Sequence, residues 1–89
     1  MSSPELTQAA LDLTIKAVKH QHPSVALKVQ NLMAGTRNIE ESYPVNLDAE
    51  DISIIVSSLT NELNRITDPG MLVVMRALVE DWRSFLQKA

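Results

Sequence analysis

Apolar residues recur every three or four positions along most of this chain, which is the spacing of an amphipathic α-helix. Proline, glycine and short polar runs divide the pattern into segments, and we predict helices at about 4–21, 23–34, 48–67 and 69–87. Short helices with one apolar face stabilise one another by packing. The sequence therefore predicts a single all-α domain, a small four-helix bundle with a long irregular connection between helices 2 and 3.

The last helical segment has the widest apolar stripe in the chain. Its members are Met71, Leu72, Val74, Met75, Leu78, Val79, Trp82, Phe85 and Leu86. A surface helix needs only a narrower stripe to cover a core. We therefore interpret this segment as the central helix, with the other helices packed around its first turns.

Proline and aspartate predict where three of the helices begin. Pro23 and Pro69 stand at first helical positions, which tolerate proline. Asp68 is then the predicted N-cap of the last helix. Asp48 is the predicted N-cap of the third helix, and Asp51 follows it in the position of a capping box. The join before Pro69 is short, which predicts an antiparallel hairpin of helices 3 and 4.

The start of the chain and the connection at 36–47 carry less regular signals. Ser3 and Pro4 predict the cap and first position of helix 1. The pair Tyr43-Pro44 favours turns or extended backbone. Two alternatives stay open for the connection: its apolar side chains pack against the core at one end of the bundle, or it is a binding loop.

Composition and charge narrow the class of protein. The chain has 89 residues and no cysteine, so neither a disulfide nor a thiolate metal site is available. The net charge of −3 argues against nucleic acid or an anionic membrane as partner, because both attract basic surfaces. The first residues lack the features of a signal peptide, and no apolar run has the length of a membrane span. We therefore expect a cytoplasmic location.

No group of residues predicts catalysis. His20 and His22 are the only histidines, and no third ligand stands at a recognisable metal-site spacing from them. The chain also lacks a glycine-rich phosphate loop and a Gly-x-Ser-x-Gly nucleophile elbow. We expect no enzyme activity, no cofactor and no metal. The alternative of a metal-dependent enzyme built on the two histidines predicts metal in the purified protein.

Some apolar residues fall outside the one buried face that each helix needs. They are Leu11, Ile15, Val18, Leu27, Ile54 and Val73. Isolated exposed apolar residues are normal in proteins, but the three in helix 1 form a stripe of their own. We predict that the set forms an interface. The protein is then a small non-catalytic module for protein–protein interaction that self-associates, as a homodimer for example, or binds a protein partner through apolar helix faces.

Acidic residues are concentrated in the segment 39–66, and they suggest an alternative function. The residues assigned to it are Glu40, Glu41, Asp48, Glu50 and Asp51. A patch of one sign accelerates encounter with an oppositely charged partner. The alternative is therefore an inhibitor or immunity-type protein that neutralises a basic target. In size and helix plan the chain is similar to small four-helix immunity proteins against bacteriocins, although it shares no motif with them.

Overall fold

The computed structural model describes residues 5–34 and 43–88, and these ranges are mainly helical. The elements are β1 (Glu5–Leu6), α1 (Gln8–Val18), α2 (Pro23–Met33), β2 (Tyr43–Pro44), α3 (Ala49–Leu63) and α4 (Pro69–Lys88). The predicted small all-α fold with four helices is therefore confirmed. The chain divides into two compact units, residues 1–47 and 48–89. The assignment of one domain stays a prediction.

In the first unit, α1 packs against α2, and a two-residue strand pair lies beside α2. β1 and β2 are antiparallel, with Glu5 opposite Pro44 and Leu6 opposite Tyr43. β2 is also in contact with α2. Leu6, Tyr43 and the following Val45 are all buried. This part of the connection before α3 therefore contributes to the packing of the unit, as the first of our two alternatives requires.

The first helix is shorter than the sequence pattern predicts. It begins at Gln8 rather than near residue 4, because Thr7 has extended backbone and its side chain accepts a hydrogen bond from Ala10 N at 3.2 Å. Strand pairing holds Glu5 and Leu6 extended. The predicted cap and first position at Ser3 and Pro4 lie outside the described residues. The helix ends at Val18, before the predicted residue 21.

The buried side of α1 includes the stripe that looked surplus in the sequence. Leu11, Thr14 and Val18 are wholly buried, and Ala17 is nearly so. Thr14 can occupy this side because its hydroxyl donates to Ala10 O at 2.8 Å, which satisfies a polar group away from water. Leu11 and Val18 are thus packing residues of the folded chain.

In the second unit, α3 and α4 pack against each other and are joined by residues 64–68. Asp48 caps α3 as predicted, since its Oδ1 accepts from Asp51 N at 2.9 Å. α3 ends at Leu63 rather than at the predicted 67. The backbone then tightens, with Arg65 N donating to Glu62 O at 2.9 Å, a bond that closes three residues rather than four. The two helices form an α-hairpin.

The buried residues of the hairpin follow helical spacing on both helices. They are Ile52, Ile55 and Leu59 on α3 together with the polar residues Asp51 and Ser58, and Met75, Leu78, Val79, Trp82 and Phe85 on α4. Ser58 is one of the two polar residues among them. Its Oγ is buried and has no hydrogen-bond partner among the described residues.

The wide stripe predicted for α4 is buried only in part. Leu72 and Leu86 are half-buried, and Met71 and Val74 are exposed, as is the neighbouring Val73. The other members of the stripe are buried. α3 packs against α4, and the interpretation that the other helices also pack around the first turns of α4 stays a prediction. Periodicity identifies apolar positions, but it does not show which of them a neighbour covers.

Candidate functional site

The first two turns of α4 present an apolar surface to solvent. Val73 is 69% exposed and Val74 is 47% exposed. Gly70 and Ala77 are exposed on either side of them. Gly70 precedes Val73 and Val74 by three and four residues, and Ala77 follows them by four and three, so the four lie on one side of the helix as a continuous strip. We call Gly70, Val73, Val74 and Ala77 the α4 outer face.

Local capping fixes the helix that carries this face. Asp68 Oδ2 accepts from Met71 N at 3.0 Å, and Asp68 O accepts from Leu72 N at 3.0 Å. Pro69 occupies the first helical position, where its fixed φ suits the helix and its missing N–H costs nothing. The opposite side of α4 is anchored by buried residues such as Met75 and Trp82. The α4 outer face is therefore presented on a preformed helix.

Charge sharply limits the length of this face. The face itself has no ionisable side chain, and Met71, 39% exposed, extends it along one edge. Beyond Ala77 the same side of the helix becomes acidic, with Glu80 and Asp81 both exposed. Glu80 Oε1 accepts from the Arg83 guanidinium at 3.0 Å. An apolar strip bordered by charge is a common design of a protein-binding surface.

The six residues predicted as an interface lie in different environments. Leu11 and Val18 are buried, and a partner reaches neither while the chain stays folded. Ile15 and Ile54 are half-buried. Leu27, at 56%, and Val73, at 69%, are well exposed. Only Val73 belongs to the continuous apolar strip on α4, and the role of the six as one interface stays a prediction.

The acidic residues assigned to the alternative function also differ from one another in exposure and in structural role. Asp48 and Glu50 are exposed at the start of α3, whereas Asp51 is buried. The Asp48 carboxylate is already engaged as the cap of the helix. Glu40 and Glu41 lie outside the described residues. Steering of a basic target by this segment stays a prediction.

The two histidines lie between α1 and α2 in the first unit. His20 is exposed in the turn after α1, and His22 is the half-buried N-cap of α2 without a side-chain cap bond. Within residues 5–34 and 43–88, no group of three or more His, Cys, Asp or Glu side chains is arranged to hold a metal ion. None of the helices described is both long and apolar enough to cross a membrane.

Sequence reasoning found Val73 but missed the other members of the α4 outer face. Val74 was assigned to the buried stripe. Gly70 and Ala77 were not assigned to an interface, because they lack a large apolar side chain. The available signal was the width of the stripe, which exceeds what one neighbouring helix covers.

Comparisons with models of protein families, with curated proteins and with solved structures found no match.

Proposed function

We propose that this protein is a non-catalytic interaction module that binds a protein surface through the α4 outer face. The observation that supports the proposal is the continuous exposure of Val73 and Val74 between Gly70 and Ala77 on a capped helix. Burying apolar area contributes roughly 25 cal/mol per Å². Two neighbouring valines that are 69% and 47% exposed to water therefore provide apolar area for a partner to bury.

The helical form of the surface favours helix packing as the mode of recognition. Residues at three- and four-residue spacing form a ridge that fits the groove of another helix. The small side chains at Gly70 and Ala77 allow the backbone of such a helix to approach closely. Binding here does not require a disordered segment to become ordered, because Asp68 and Pro69 already fix the start of α4.

Affinity capture with matched variants tests this proposal. Val73→Glu places a charge in the middle of the face, while Ser57→Glu places the same charge on an exposed position of α3. Tagged wild type and both variants are used as baits in extract of the native cell. The captured chains, including untagged copies of the protein itself, are compared by mass spectrometry.

The proposal predicts at least one chain that wild type and Ser57→Glu capture and Val73→Glu does not. Both substitutions are on exposed positions, so we expect all three baits to fold. Far-UV circular dichroism verifies this. Identical captured sets for wild type and Val73→Glu would contradict the assignment of the α4 outer face. The inhibitor alternative rests on charge alone and predicts capture that salt weakens and Val73→Glu leaves intact.

A further inference from the structure

We draw no further inference here: the strongest candidate, the exposed apolar surface patch of the α4 outer face around Val73 and Val74, belongs to the site already described, and nothing in the structure shows what covers it.

Discussion

Trp82 and Phe85 meet edge to face on the buried side of α4, with ring centroids 5.6 Å apart and ring planes at 72°. Trp82 is wholly buried and Phe85 nearly so. Edge-to-face geometry places the positive rim of one ring against the negative face of the other. Because Trp82 is the only tryptophan in the chain, its fluorescence reports on this contact.

Phe85→Leu should lower the free energy of unfolding by about 1 kcal/mol, because leucine keeps most of the buried area but loses the ring contact. Urea denaturation followed by circular dichroism measures the change. A double-mutant cycle with Trp82→Leu isolates the ring–ring energy from the loss of packing. A coupling energy of zero in that cycle would show that the pair contributes only through its area.

Ser58→Ala should stabilise the protein. The Ser58 hydroxyl is buried without a hydrogen-bond partner among the described residues, a state that costs about 1–3 kcal/mol. Ser57→Ala is the matched control, since Ser57 is the exposed neighbour on α3 and reports only the difference in helix propensity. We expect the gain at Ser58 to exceed that at Ser57 by about 1 kcal/mol. An equal or smaller gain would mean that the hydroxyl finds a partner in solution.

The helix starts that could be predicted from the sequence are those with a chemical signal of their own. Asp48, Pro23 and Pro69 mark their helices correctly because capping and proline geometry depend on a few neighbouring residues. The start of α1 also has such a signal, the Thr7 cap, but Ser3 and Pro4 offer a competing one earlier in the chain. The later start agrees with the pairing of Leu6 with Tyr43, far along the chain, and a two-residue strand leaves no periodic pattern.

Burial was harder to predict than helix position, for a physical reason visible at Thr14. Its hydrogen bond to Ala10 O makes a polar residue acceptable in the interior. The run of apolar residues that marks the buried side of α1 is therefore interrupted in the sequence. Leu11 and Val18 on either side of it then looked like surplus residues for an interface. The opposite error occurred at Val74, which has core chemistry and is exposed. The candidate site is defined by the side of α4 that no neighbouring element covers. The spacing of apolar residues in one sequence does not show which side that is.

Asp48→Ala should lower the free energy of unfolding by about 1 kcal/mol, through loss of the cap on α3. Asp48→Asn should cost much less, because an amide oxygen still accepts from Asp51 N. The pair of variants also separates two roles of this residue. Asparagine keeps the cap while it removes the charge that the inhibitor hypothesis assigns to partner steering. Thermal unfolding and association kinetics, measured on both variants, therefore report on different properties, and equal losses of stability would contradict the capping role.

Leu11→Ala and Leu27→Ala remove the same atoms from two helices of the first unit and should have very different effects. Leu11 is wholly buried, so its truncation should lower the free energy of unfolding by about 2–5 kcal/mol. Leu27 is 56% exposed, and its truncation should change that free energy by less than about 0.5 kcal/mol. Urea unfolding of both variants, at one protein concentration, measures the difference. If Leu11→Ala instead left stability unchanged and abolished capture of a partner, the stripe on α1 would be an interface, as its spacing in the sequence suggested.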